Sequence, residues 1–238
     1  MMKIDVFGSY INVADKDIVD RDVVVLDIFR TTSVIVTALA HKARCVLPVE
    51  SIDEAWDIFY KDESGATLLG GERQALPIKG FHLDNSPGAY SEEKVGGKRI
   101  VITTSNGSRA IKVCTAAKRV YIASFLNVSQ IVRELKERAH DVAVVCSGTF
   151  GRFALEDGLC AGMIVSLLSK TGNILITDLG IAMKELFESP TDIRSMLKRG
   201  SVAYGYLERT GYEDDIDFCL QRDIYSVVPF YQEGSVTA

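Results

Sequence analysis

The chain has 238 residues, 47% of them hydrophobic and 25% charged, with a formal net charge of -5. That length buries a large core as one α/β unit or two small lobes, and the composition excludes a disordered chain. The acidic balance offers nothing to nucleic acid or an anionic membrane surface, so a small molecule is the expected partner.

The opening "MMKIDVFGSY" reaches Lys3 and Asp5 before any apolar stretch of signal-peptide length. No later run approaches the roughly 20 apolar residues that span a bilayer. A soluble, cytoplasmic chain is expected, with a homodimer, the commonest assembly, as the default oligomer. "DVVVLDIF" (22–29) is the first clear strand, followed by "CVLPVE" (45–50), the helical "SIDEAWDIFYKDE" (51–63) and the strand "ATLLGGE" (66–72). Next comes "RQALPIKGFHLDNSPGAYSEEKVGG" (73–97), a long patternless segment of the kind that is usually functional inside a compact domain.

Beyond it, "RIVITTS" (99–105), "RVYIAS" (119–124) and "DVAVVCSG" (141–148) read as strands. They alternate with "GSRAIKVCTAA" (107–117) and "NVSQIVRELKERA" (127–139), whose apolar positions recur at helical spacing. The stretch 153–211 reads as helical, and "DIYSVVPFY" (223–231) as a last strand, with Pro229 at its end or on a sheet edge. Continuous apolar strands alternating with helices predict a three-layer α/β/α unit over 1–238, with a mainly parallel or mixed sheet. Segment 73–97 is the one place for a lobe boundary, with the site between the lobes.

Ligands of open α/β sheets sit at the carboxyl ends of the strands. Four such ends here deliver an arginine within a few residues: Arg30, Arg73, Arg109 after "SNGS", and Arg152 after the Gly148 turn. Guanidinium groups at helix starts are receptors for phosphate, sulfonate or carboxylate, so a small polyanion is expected. Any one of these arginines can instead be a surface ion pair, and "SNGS" a plain cap.

Asp27, Glu72, Glu156 and Asp157 share the same edge. Hard oxygen ligands beside a phosphate suit Mg²⁺, although acids in a first helical turn also simply complement its dipole. Asp27 ends an apolar strand and needs a cation or an arginine there. Asp84 and Asn85 in the long loop are placed to close over a ligand; His82 is a weaker candidate.

"VVCSGTFGR" (144–152) also carries the Cys-x5-Arg spacing of cysteine phosphatases in Cys146 and Arg152. Those enzymes generally place His before the cysteine and Ser or Thr after the arginine, where this chain has Val145 and Phe153. Acids beside a thiolate would raise its pKa, so Cys146 reads as a buried strand-end residue. The five cysteines are widely spaced and form neither a zinc nor a disulfide pattern. A metal-independent cysteine phosphatase and a non-catalytic sensor of anionic metabolites are the alternative readings, with a sugar-phosphate isomerase a third.

"VVVLDIFRTTSVIVTAL", "GGERQALPIKGFHLDNSPGAY", "IVITTSNGSRAI", "VCSGTFGRFALEDGLCAGMIV" and "DIDFCLQRDIYSVVPF" run in order from about 22 to 231. Together they resemble the 2-phosphosulfolactate phosphatase family of coenzyme M biosynthesis, with Asp84 where that family usually has glycine. The resemblance implies Mg²⁺-dependent hydrolysis of 2-phospho-3-sulfolactate to sulfolactate and phosphate. Carried over by it, Asp27 and Arg30 are catalytic. Arg73, Asn85, Ser105, Asn106, Gly107, Arg109, Gly148 and Arg152 join Arg30 around the substrate. Asp27, Glu72, Glu156 and Asp157 become the metal set.

Overall fold

A computed structural model describes residues 1–170, 172, 174–189 and 191–238. Among them the strands are β1 (Met2–Phe7), β2 (Asp22–Leu26), β3 (Cys45–Val49), β4 (Thr67–Arg73), β5 (Leu76–Pro77), β6 (Arg99–Thr103), β7 (Arg119–Ala123), β8 (Val142–Cys146), β9 (Ile174–Ile176), β10 (Phe230–Gln232) and β11 (Ser235–Thr237). The helices are α1 (Asp15–Ile18), α2 (Thr31–Ala40), α3 (Ile52–Tyr60), α4 (Glu92–Val95), α5 (Gly107–Val113), α6 (Val128–Arg138), α7 (Leu155–Ser169), α8 (Asp178–Glu188), α9 (Ile193–Gly200), α10 (Val202–Thr210) and α11 (Glu213–Cys219).

One mixed sheet runs through the molecule in the order β5-β4-β6-β3-β11-β10-β7-β2-β8-β1-β9. It contains two parallel blocks, β4-β6-β3 and β7-β2-β8-β1-β9. The hairpin β10–β11 joins them, antiparallel to β7 on one side and to β3 on the other. Segment 223–231 thus delivers less strand than its residues suggest, and the missing half of the pairing comes from β11. Pro229 stands just before β10, where its carbonyl still accepts from Ile122 N–H at 2.9 Å.

All five residues of β2 are buried, as a central parallel strand covered on both faces requires. Its alternation splits the core: Val24 and Leu26 join α6, α7 and the later helices, while Val23 and Val25 join α2 and α5. A smaller core of Val49, Ala55, Leu69 and Val101 lies under α3. These are the three layers the alternating pattern predicts. Among the described residues of 153–211, α7, α8, α9 and α10 supply the expected helices, and β9 interrupts them with three residues, too few for a periodic signal. β1, at the amino terminus, is paired between β8 and β9.

No helix among the described residues is long and apolar enough to cross a membrane.

Candidate active site

The carboxyl ends of β2, β4, β6 and β8 meet. Asp27, the first residue after β2, is tied to the first turn of α2: Thr31 N–H reaches its Oδ1 at 3.3 Å, and Thr32 Oγ1 accepts its backbone N–H at 3.0 Å. Gly107, the first residue of α5, faces it so closely that a Cβ there would lie 2.5 Å from Asp27 Oδ2. Any side chain at this position would have to displace Asp27 and Thr31. The Phe29–Arg30 peptide is cis.

Glu72 at the end of β4 accepts from Ser105 N–H at 2.7 Å through Oε1, and from Ala75 N–H at 2.8 Å and Ser105 Oγ at 3.2 Å through Oε2. Asp157 in the first turn of α7 accepts from Ile28 N–H at 2.8 Å and Gly148 N–H at 3.0 Å, one on each oxygen. It therefore clamps the turn after β2 to the turn after β8. Glu156 accepts from Ser201 Oγ at 2.7 Å. All four acids are buried.

Taking the carboxyls of Asp27, Glu156 and Asp157 out of water raises their pKa values. Burial pushes Asp27 up to about 7, with Glu72 and Glu156 adding to the rise and Thr31 opposing it. Burial also raises Glu156. It holds Asp157 well above the usual range, with help from Glu156 and Asp27. The edge is thus an electronegative hollow that favours a proton or a cation.

A pocket opens over it, lined by Arg30, Glu72, Asn85, Ser105, Asn106 and Phe150 among others, with Tyr206 and Leu207 of α10 as its far wall. The Asn85 side chain is 3% exposed and its Oδ1 has no hydrogen-bond partner, which leaves a buried polar atom facing a ligand space. Arg30 is equally buried. Its Nη1 pairs with Asp215 Oδ2 at 2.6 Å, its Nη2 donates to Ala75 O at 3.3 Å, and its guanidinium lies 4.1 Å over the Tyr212 ring.

Over residues 11–234 the chain matches the family model described as 2-phosphosulpholactate phosphatase. The chain belongs to that family. A relative from Symbiobacterium thermophilum is 40% identical over 222 residues, covering 93% of this chain and 95% of its own. One from Caldicellulosiruptor saccharolyticus is 39% identical over 233 residues, covering 95% and 96%. One from Clostridium kluyveri is 36% identical over 235 residues, covering 99% and 97%. Each bears the name "Probable 2-phosphosulfolactate phosphatase", which denotes a phosphoric monoester hydrolase.

Of the residues that sequence reasoning placed around the substrate, Arg30, Asn85, Ser105 and Asn106 line the pocket. The other three arginines do not. Arg73 spends its guanidinium on Glu72 O at 2.7 Å and Thr103 Oγ1 at 2.8 Å, and Arg109 points outward from α5, exposed. Arg152 is exposed on the turn 149–152, which closes through reciprocal backbone hydrogen bonds with Thr149, and it borders a neighbouring hollow together with Glu156.

Cys146 is 0% exposed in the core, and burial, then Asp157, pushes its thiol well above the ordinary value. Cys146 and Arg152 therefore do not form a thiolate-guanidinium pair. His82 accepts Leu69 N–H at 3.0 Å and packs on Phe59, away from the pocket. Asp215, Tyr212 and the α10 wall were not among the sequence candidates. For Asp215 the only local signal is the acid-rich helix start Glu213, Asp214 and Asp215, which is indistinguishable in the sequence from ordinary complementation of a helix dipole.

Proposed function

We propose that this protein hydrolyses the phosphate monoester of a small polyanionic hydroxy acid, 2-phospho-3-sulfolactate, to 3-sulfolactate and inorganic phosphate. The carrying observation is the pocket itself. Arg30, the amide of Asn85 and the Ser105–Asn106 turn face one space beside buried carboxylates, in a chain whose relatives bear the name of that enzyme. Its water-accessible space is small, about 70 Å³, and it is open at the mouth, which suits a ligand of a few carbons rather than a macromolecule. Hydrolysis breaks the phosphorus–oxygen ester bond, places a water-derived hydroxyl on phosphorus and returns a proton to the departing alcohol. Arg30 neutralises charge on the substrate, and the buried surroundings strengthen that interaction.

Mg²⁺ is part of the proposal. Glu72 and Asp157 use both their oxygens on N–H and O–H donors of the fold, so they serve as frame. Asp27 and Glu156 are more lightly engaged, by a 3.3 Å contact from Thr31 and by the Ser201 hydroxyl. Among the described residues, no three His, Cys, Asp or Glu side chains form a ready metal cage. Two carboxylates with like-charge crowding suit an ion that takes one or two carboxylates and fills its remaining positions with water and phosphate oxygens. Held by Asp27 and Glu156, Mg²⁺ would withdraw charge from the phosphoryl oxygens. A phosphate-release screen over phosphorylated hydroxy acids tests the reading. Release confined to polyanionic substrates supports it, and binding without release from any of them would mark an anion sensor.

A further inference from the structure

The arginine in the pocket is held from the far end of the chain. Asp215 of α11 takes Nη1 at 2.6 Å, with side-chain exposures of 2% for Arg30 and 8% for Asp215. Tyr212, one turn earlier, covers the guanidinium face at 4.1 Å. Ala75 O takes Nη2 at 3.3 Å. A ring face fixes the plane of a guanidinium, and two acceptors fix its rotation within that plane. Three of its five N–H donors then remain for other acceptors.

The holder is itself held. The other Asp215 oxygen accepts Ser86 Oγ at 2.6 Å, and Tyr212 OH donates to Asp84 Oδ2 at 3.0 Å. Asn85, with its unpartnered buried oxygen, sits between those two anchor points. One short helix and its first flanking residue thus tie together Arg30 and Asn85, two of the buried polar residues that line the pocket. Asp84, the departure from the family pattern, is one of its anchors.

We propose that Asp215 is the positioning residue of the substrate-binding site: through Arg30 and Ser86 it aims the guanidinium fork, and the amide of Asn85 beside it, at one anionic group of the ligand. The inference rests on the reading of the pocket as an anion site, and it stands whether or not the bound ester is hydrolysed. It also fixes the sign of the effect. Removing a carboxylate next to an anion site should by charge alone tighten anion binding, so a weakening isolates loss of aim.

The test uses the full chain, with inorganic phosphate as the binding probe and 2-phospho-3-sulfolactate as substrate. Asp215→Ala should weaken phosphate binding and raise KM by about tenfold, the scale of one misdirected charged hydrogen bond, with kcat changed by less than about threefold. Asp215→Asn keeps an acceptor for Nη1 and should recover most of the loss. In an Arg30→Ala background, Asp215→Ala should weaken binding clearly less than it does in wild type, by no more than the two- to fivefold effect carried through Ser86 and Asn85, because the guanidinium it aims is gone. Undiminished loss in that background, or phosphate binding by Asp215→Ala as tight as wild type or tighter, overturns the proposal. If Asp215→Ala does not fold, Ser86→Ala, which removes only the anchor, should weaken binding by about two- to fivefold. Wild-type affinity in Ser86→Ala would then overturn it. Phosphate binding that depends on Asp215 in a chain that releases none would sustain this inference and sink the phosphatase reading.

Discussion

Asp27 is the side chain on which chemistry and stability pull in opposite directions. Its carboxyl is buried, raised to about 7 and crowded by Glu72 and Glu156. Asp27→Asn is nearly isosteric, keeps an oxygen for Thr31 N–H and deletes the crowded charge. The variant should lose activity by on the order of a hundredfold or more, the scale of removing one preorganised electrostatic group. In EDTA at pH 8 it should melt no lower than wild type, because the metal-free wild type carries an uncompensated buried charge that the variant lacks. Full turnover by the variant would remove Asp27 from the reaction. Arg30, read from the sequence as a strand-end arginine, lines the pocket, while Asp27, read as the acid closing an apolar strand, is buried at the same edge outside that lining. Arg73, Arg109 and Arg152 occupy that edge without lining the pocket. A strand-end position says which edge a residue occupies and nothing about which way its side chain turns, and here they turn to Thr103, to solvent and to the neighbouring hollow.

Among the elements, the two turns that carry the site are joined by Asp157. Asp157→Ala strands the buried N–H groups of Ile28 and Gly148, each costing about 1–3 kcal/mol, offset in part by relief of repulsion from Glu156 and Asp27. A net loss of this order should lower the melting temperature by roughly 5–10 °C in a chain of this size. Asp157→Asn, with one acceptor left, should lose less. A melting curve for Asp157→Ala that overlays wild type would show that the clamp holds nothing. The strands β2, β6, β7 and β8 and the helices α3, α5 and α6 were readable from period and composition. β1, β9 and β11 were not, since they are short or take their place only by pairing. The α10 wall and the Arg30–Asp215 bond lie beyond local pattern altogether, because their partners are 185 residues apart for Arg30 and Asp215.

At the scale of the molecule, the site exists because two parallel blocks of strands are held in one sheet by the β10–β11 hairpin. β11 reaches β3 through a single registered pair, Val236 with Val46, and Val236 is 0% exposed. Val236→Asp buries a charge at that junction and should cost about 4 kcal/mol or more. Thermal melts should show the drop, and an unchanged midpoint would mean the hairpin is dispensable. The α/β class and the edge that bears the site followed from strand-helix alternation, whereas the reversal between blocks depends on a hairpin of three-residue strands that no periodicity announces. Hydrolysis of the phosphate ester is proposed to use a cation held by Asp27 and Glu156 and to leave the Cys146 thiol idle. The most direct measurement is phosphate release from 2-phospho-3-sulfolactate in Mg²⁺, then in EDTA, then with Mg²⁺ restored. Release, near-complete loss and recovery are expected; an undiminished rate in EDTA, or no release in Mg²⁺, would rule out the metal-dependent phosphatase.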